Sequence, residues 1–133
     1  MSMTGQNIME TEILVIGGGA AGLSAAAEAA AAGAEVTVLE SDLHLGGQLV
    51  KQTHKFFGSK EEYAGTRGFE IATKLMQEIS ACSSRVKTMT NTCAMGYYKE
   101  DGIVTAMTGE DNYFKIKPKR IIMATGAQER LIP

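Results

Sequence analysis

The stretch ILVIGGGAAGLSAAAEAAAAGAEVTVLE occupies residues 13–40. Apolar residues precede three glycines, a run rich in alanine follows them, and a glutamate ends the stretch. The apolar run predicts a buried strand, the segment 20–32 predicts a helix, and the β-branched segment 35–40 predicts a second strand. Strand, helix and strand within about 30 residues form a βαβ unit, so the two strands are predicted to be parallel.

The glycines of this unit match the pattern G-x-G-x-x-G at Gly17, Gly19 and Gly22. Because the pattern follows a predicted strand and opens a predicted helix, it indicates a dinucleotide-binding turn. Gly17 permits the tight turn, Gly19 lets the backbone approach a pyrophosphate, and Gly22 lets helix and strand pack closely. The N–H groups of the helix N-terminus would face the phosphates. The alternative is a structural glycine turn that binds nothing.

Glu40 ends the second predicted strand, 18 positions after Gly22. An acid at this place hydrogen-bonds the ribose hydroxyls of an adenosine, and its charge would repel a 2′-phosphate. The site is therefore predicted not to hold NADP, although a surface glutamate without a ligand is the alternative. The βαβ unit itself leaves NAD and FAD open, since both contain ADP.

The rest of the chain extends this sheet. Residues 41–66 predict a long loop with one helical turn near 48–53, and an apolar stripe predicts a second helix over 67–81. Three alternating runs within 93–118, with Asp101–Gly102 in one of the turns, predict an antiparallel meander. The parallel strands are predicted near residues 12–16, 35–39, 85–89 and 119–124. The predicted fold class is α/β, a Rossmann-like parallel sheet with a three-stranded antiparallel meander crossover. Residues 1–11 are predicted to be a leader, and 12–133 part of one domain.

Composition excludes several classes of protein. A hydrophobic fraction of 44% and a charged fraction of 21% argue against disorder, and a net charge of −2 provides no basic field for nucleic acid. Glycines interrupt the apolar stretch 13–39, so no membrane span is predicted. Cys82 and Cys93 are too few for a disulfide framework and are expected to be buried small residues, which favours a reducing, cytoplasmic location. His44 and His54 lack paired ligands, so no metal site is predicted.

Two further motifs distinguish the candidate cofactors. LGGQL at 45–49 follows the predicted ribose acid, and ATGA at 124–127 ends a predicted strand. With these motifs the segment 12–133 resembles the two-dinucleotide-binding-domain flavoproteins. It looks most like thioredoxin-reductase-type enzymes and the FAD subunits of sarcosine oxidase and hydrogen cyanide synthase. Glutathione reductase relatives carry a redox cysteine pair after the glycine doublet, whereas this sequence has Gln48, which argues against that branch.

The resemblance implies FAD as the cofactor and NAD(P)H as co-substrate of the intact protein. In this group the first glycine motif binds FAD, the doublet packs near the flavin, and the A-T-G strand end passes close to the cofactor. No residue is predicted to be a catalytic acid, base or nucleophile. The predicted cofactor-binding residues are Gly17, Gly19, Ala20, Ala21, Gly22, Glu40, Ser41, Gly46, Gly47, Gln48, Ala124, Thr125 and Gly126.

The resemblance also implies that the chain is incomplete. In these flavoproteins the NAD(P)H domain is inserted into the FAD domain, whose last strand and helix return after it. No second G-x-G-x-x-G occurs here, so the chain is expected to be the first part of the FAD domain. Its function is expected to be the FAD-binding part of an FAD-dependent, NAD(P)H-linked oxidoreductase, and whether the chain alone is an enzyme stays open. The alternative is a non-catalytic nucleotide-binding module that associates with itself or with a partner subunit.

Overall fold

The computed structural model of the chain describes residues 2–4, 8–55, 59–127 and 132. The strands are β1 (Ser2–Thr4), β2 (Ile8–Ile16), β3 (Val36–Leu39), β4 (Val86–Met89), β5 (Thr92–Tyr98), β6 (Ile103–Thr108) and β7 (Asn112–Met123). The α-helices are α1 (Ala20–Ala31) and α2 (Gly68–Ala81), and 3-10 helices lie at Gly47–Lys51 and Lys60–Glu62.

The strands form one seven-stranded sheet in the order β4-β3-β2-β7-β6-β5, with β1 paired antiparallel to β2. The neighbouring strands β4, β3, β2 and β7 are mutually parallel. The strands β7, β6 and β5 form the antiparallel meander. The predicted fold class is therefore confirmed: the chain is α/β, with a Rossmann-like parallel sheet and a meander.

Side chains from the two faces of the parallel sheet enter two separate cores. Alternate residues of a strand point to opposite faces, so Val36 and Val38 face the helices while Leu39 faces the meander. On the helix side the core includes Leu23 and Ala26 of α1. The helix-side core also takes Ile71, Ala72, Leu75 and Ile79 from α2. On the other face of the sheet, the meander-side core contains Val104, Ala106 and Ile116, together with Leu14 and Met9. The sheet is thus the middle of three layers.

Both helices match their predicted positions closely. α1 buries Gly22, Leu23, Ala26 and Ala30, a stripe of mostly small side chains that lets the helix approach the sheet. Gly33 follows α1 with φ of +97°, the left-handed conformation expected of a glycine after a helix. Of the helices in the described ranges, none combines the length and apolar character that a bilayer-spanning segment needs.

The structure corrects two features of the strand prediction. The predicted third meander strand and the predicted strand 119–124 are one continuous strand, β7. Its first half pairs with β6, and its residues from Lys115 to Met123 pair with β2. The second correction concerns residues 8–11 and also follows from the length of β7. Residues 8–11 were assigned to a loose leader, but they pair with Lys115–Pro118 of β7 and form the first part of β2, with Met9 buried.

The long loop is present as predicted in its described parts, 41–55 and 59–66. Its predicted helical turn is the 3-10 helix Gly47–Lys51. Tyr63 packs against the helix-side core, and its hydroxyl donates to Glu78 of α2 at 3.1 Å. That hydrogen bond to the Glu78 carboxylate raises the pKa of Tyr63 above its ordinary value. The loop is thereby attached to α2.

Candidate functional site

The carboxyl ends of the parallel strands meet at one edge of the sheet, and a cleft of about 580 Å³ opens there. Open α/β sheets bind ligands at this edge, outside the carboxyl ends of the strands. The glycine turn follows β2, Glu40 follows β3, Thr92 begins β5 soon after β4, and Ala124 follows β7. The volume falls within the range of about 300–1,000 Å³ that is usual for small-molecule sites.

Gly17 and Gly22 are required by the packing of the protein itself. A Cβ atom on Gly17 would overlap the carbonyl oxygen of Ala124, and Gly17 has φ of +113°. A Cβ atom on Gly22 would overlap the carbonyl oxygen of Gly17. The Gly17 N–H donates to Leu39 O at 2.8 Å, and the Ala124 N–H donates to Ile16 O at 2.8 Å. These hydrogen bonds connect the start of the turn to the ends of β3 and β7.

Gly19 differs from the other two glycines of the motif. Its backbone is extended, with φ of −83° and ψ of −164°, a conformation open to any residue. The nearest atom to a Cβ placed there is the Gly47 Cα at 3.7 Å, which is ordinary contact. Neither backbone conformation nor packing therefore requires glycine at position 19, and the space beside it belongs to the cleft.

The first turn of α1 faces the cleft without a cap. No side chain caps this N-terminus, and the helical hydrogen bonds begin with Leu23 N–H donating to Gly19 O at 2.9 Å. Within the described part of the chain, no hydrogen bond occupies the N–H groups of Gly19, Ala20 and Ala21. These donors lie at the positive end of the helix dipole, where an anion is stabilised.

The second glycine pair packs directly on the first turn. Gly46 N–H donates to Gly18 O at 2.8 Å, and a Cβ on Gly47 would lie 2.9 Å from the Gly19 Cα. Both residues have positive φ, +111° at Gly46 and +56° at Gly47. Gly46 is buried, and a Cβ there would lie 2.6 Å from Val50 Cγ1. The doublet therefore joins two backbone segments that side chains would separate.

Glu40 stands beside the glycine turn with both carboxylate oxygens engaged. Its Oε1 accepts from the Gly18 N–H at 3.0 Å, and its Oε2 accepts from the Asp42 N–H at 2.8 Å. The Ser41 hydroxyl donates to Oε2 at 3.4 Å. A carboxylate offers about four acceptor positions, so Glu40 keeps capacity for ligand hydroxyls.

The cleft brings together most of the residues predicted from the sequence. Only Gly22 and Gly46 do not line it; they lie beneath its surface, where they permit the close packing. The predicted residues that line the cleft are Gly17, Gly19, Ala20, Ala21, Glu40, Ser41, Gly47, Gln48, Ala124, Thr125 and Gly126.

Sequence reasoning missed a second group of lining residues. These follow the predicted ones along the chain or come from the start of β5: Asp42, Leu49, Lys51, Gln52, Thr92, Cys93 and Ala94. The available signal for the β5 residues was their position just after β4, because carboxyl ends of parallel strands share one edge. The prediction that both cysteines are buried is wrong for Cys93, which is exposed in the cleft wall; Cys82 is half-buried.

Comparisons with known proteins agree with this geometry. A family model described as pyridine nucleotide-disulphide oxidoreductase matches residues 11–133. The chain is 27% identical over 125 residues to hydrogen cyanide synthase subunit HcnB of Pseudomonas protegens, covering 94% of this chain and 26% of that protein. It is 33% identical over 128 residues to thioredoxin reductase of Treponema pallidum, covering 92% and 38%.

The fold recurs among solved structures. L-proline dehydrogenase from P. horikoshii superposes with a TM-score of 0.79 at 24% identity, over 95% of this chain and 24% of that one. Across these three proteins the chain spans between 24% and 38% of the relative's length. The resemblance predicted from the GGQL and ATGA motifs, to thioredoxin-reductase-type and hydrogen-cyanide-synthase-type proteins, is confirmed.

Proposed function

The chain belongs to the pyridine nucleotide-disulphide oxidoreductase family, and from that premise we propose that it is the FAD-binding part of an FAD-dependent, NAD(P)H-linked oxidoreductase. In this proposal the cleft at the carboxyl edge of the sheet holds FAD. When bound, the flavin supplies hydride transfer, while the protein contributes binding and orientation.

The observation that carries the proposal is the bare, uncapped first turn of α1. Gly19 lacks a side chain although none of the described residues requires it, and the amides of Gly19, Ala20 and Ala21 face the cleft without acceptors in the described chain. A pyrophosphate explains both features, because it needs close backbone approach and several N–H donors.

The adenosine end is assigned to the wall formed by Glu40, Asp42 and Thr92–Ala94. Glu40 retains about one acceptor position for a ribose hydroxyl, and a second carboxylate at Asp42 adds negative charge to the same wall. Two acids disfavour a 2′-phosphate by like-charge repulsion. The proposed ligand therefore has an unphosphorylated ribose.

The isoalloxazine end is assigned to the opposite part of the cleft, around Gly47, Gln48 and Ala124–Gly126. This assignment follows the resemblance of the doublet and the A-T-G strand end to the flavoprotein motifs. Lys51 is the cation among the described residues of the cleft wall. NAD(P)H is proposed as the co-substrate of the whole protein, and a partner chain is proposed because the HcnB relative is named as a subunit.

Ligand titration of the purified chain tests this assignment. Calorimetry should show binding of FAD and of ADP, and much weaker binding of FMN, which lacks the adenosine, and of 2′-phospho-ADP. Preference for 2′-phospho-ADP over ADP would contradict the role of the two carboxylates. Absence of binding by both FAD and ADP would refute the proposed function.

A second measurement separates an enzyme from a nucleotide-binding module. The FAD-loaded chain is mixed with NADH under anaerobic conditions, and flavin absorbance is followed. Bleaching within the time of catalytic turnover indicates that hydride reaches the flavin, as expected for an oxidoreductase. Persistent absorbance with FAD bound means that this chain alone binds the flavin without reducing it, so that the NAD(P)H site has to come from a further segment or a partner.

A further inference from the structure

Glu40 connects four backbone segments at the base of the cleft. Its N–H donates to Met89 O at 2.9 Å, and its C=O accepts from Thr92 N–H at 2.9 Å. Its carboxylate accepts from Gly18 N–H in the glycine turn and from Asp42 N–H in the following loop. The residue thus ties the glycine turn to the ends of β3 and β4 and to the start of β5.

The bond from Gly18 to Glu40 determines how the glycine turn presents its amides. The Gly18 N–H and the Gly17 C=O belong to one planar trans peptide, so the carboxylate fixes the orientation of that peptide. The next peptide is fixed by Gly46, whose N–H donates to Gly18 O at 2.8 Å. Because C=O and N–H point in opposite directions in a trans peptide, the Gly19 N–H is then directed away from Gly46.

We propose that Glu40 is a positioning residue that holds the glycine turn in its phosphate-binding conformation before the nucleotide arrives, in addition to any contact with the ribose. The inference rests on the proposed function, since the turn must bind a pyrophosphate. It predicts that the length of the side chain, which lets it reach Gly18, affects nucleotide affinity independently of its charge.

Two conservative substitutions separate reach from charge. Glu40→Asp keeps the charge but shortens the side chain by one methylene, so it loses the Gly18 amide. Glu40→Gln keeps the length and retains one acceptor oxygen for Gly18, but it loses the charge and the acceptor for the Asp42 N–H. Glu28→Asp is the matched control, because Glu28 is exposed on α1 and does not line the cleft.

The test uses two ligands, ADP and 2′,3′-dideoxy-ADP, which lacks both ribose hydroxyls. Glu40→Asp should weaken the binding of dideoxy-ADP by about tenfold, the expected effect of losing one hydrogen bond to a charged acceptor, and should weaken the binding of ADP by at least as much. Glu40→Gln should bind dideoxy-ADP within about threefold of the wild type, because it keeps the bond to Gly18. Glu28→Asp should match the wild type with both ligands.

Three outcomes would overturn the inference. Weakening of ADP but not of dideoxy-ADP in Glu40→Asp would mean that Glu40 acts only through the ribose. Equal loss of dideoxy-ADP in Glu40→Gln and Glu40→Asp would mean that charge alone matters. If the wild type binds neither ligand, the proposed function itself is wrong, which is a distinct result.

Amide exchange in the ligand-free protein provides a test that needs no nucleotide. The Gly18 amide has an acceptor in Glu40, whereas the Gly19 amide has none in the described chain, so Gly18 should exchange more slowly. Equal exchange at the two amides would contradict a turn that is held in advance. Glu40→Gln should retain the slow exchange at Gly18, and loss of it there would also contradict the proposal.

Discussion

At the scale of single residues, the three glycines of the motif divide into two kinds. Gly17 and Gly22 are required by contacts inside the protein, with Ala124 O and with Gly17 O. Gly19 has ordinary φ, and among the described residues a Cβ there would meet only ordinary contact. Sequence pattern predicted the tight turn at Gly17, the close packing at Gly22 and the ligand approach at Gly19. The partner of Gly17, Ala124 O, directly follows β7, a strand distant in sequence, whereas the partner of Gly22, Gly17 O, is only five residues away.

We expect Gly19→Val to lose nucleotide binding while the protein stays folded. The valine side chain would occupy the space assigned to the pyrophosphate, yet its Cβ has no close contact in the protein. The free energy of unfolding should change by less than about 1 kcal/mol, as for a substitution without overlap. Calorimetry with ADP and circular dichroism measure the two effects. Gly96→Val is the control, because a Cβ on Gly96 would have only ordinary contacts and Gly96 does not line the cleft. Retained ADP binding by Gly19→Val would show that the turn does not hold phosphate.

Gly22→Ala should give the opposite result. The added methyl group overlaps the Gly17 carbonyl oxygen, so α1 must move away from β2. Overpacking of this kind costs about 1–3 kcal/mol, occasionally more. Urea denaturation should therefore show a clear loss of stability, in contrast to Gly19→Val. A stable Gly22→Ala variant would mean that α1 does not pack as closely on the turn as described.

Glu40→Ala should weaken ADP binding by about 1–3 kcal/mol, since ribose donors and the Gly18 amide both lose an acceptor. Calorimetry with wild type and variant at the same salt concentration measures the difference. Equal affinity would remove Glu40 from the site. A contact between Glu40 and a ribose was predicted from the position of the acid at a strand end, and it stays a prediction. The bond to Gly18 was not, because sequence spacing does not say which backbone amide lies within reach.

At the scale of elements, βαβ periodicity predicted α1, β3 and the second part of β2 well, while the first part of β2 was missed and β7 was divided into two strands. The sequence indicates an end of the strand at Pro118, because proline removes an N–H from the ladder and charged residues surround it between Lys115 and Arg120. In the structure Pro118 lies where β7 pairs with β2 and, within the described ranges, has no strand on its other side. An edge tolerates proline, so a single strand continues from the meander into the parallel sheet.

The continuity of β7 makes a prediction about stability. Ile116 is fully buried between the meander and the parallel sheet, and its register neighbours are Val104 on β6 and Met9 on β2. Ile116→Ala should lower the free energy of unfolding by about 2–5 kcal/mol, as for other large-to-small core substitutions. Lys117→Ala, at the exposed next position, is the control and should have little effect. Urea midpoints compare the two, and equal small effects would contradict a meander core.

At the scale of the whole molecule, the two ends of the cleft differ in how completely the described chain builds them. The end proposed for the adenosine is enclosed by the glycine turn, Glu40 and the start of β5. The other end is bordered by Ala124–Gly126, beyond an edge of β7 that has no partner strand from Lys117 to Met123 in the described ranges. The sequence predicted this asymmetry through the family resemblance; composition and periodicity alone could not, because they carry no information about strand order.

The open edge of β7 leads to the last prediction, which concerns assembly. The Met123 side chain is 67% exposed, and unpaired strand edges with apolar residues associate with other chains. We expect the isolated chain to self-associate or to copurify with a partner, and to bind less than one FAD per chain. Met123→Lys should reduce self-association, because charge on an edge opposes pairing.

The difference between the two ends of the cleft also predicts how much of the affinity for FAD comes from its ADP half. In the proposed function residues 13–40 hold the ADP half, so ADP should retain most of the affinity of FAD, with dissociation constants within about tenfold of each other, or 1.4 kcal/mol. Sedimentation velocity combined with flavin quantitation measures assembly and stoichiometry, and competition between ADP and FAD measures the ratio. A stable monomer with one tightly bound FAD per chain would contradict the prediction. That outcome would mean that the described sheet, meander and glycine turns are sufficient to enclose the isoalloxazine as well as the adenosine.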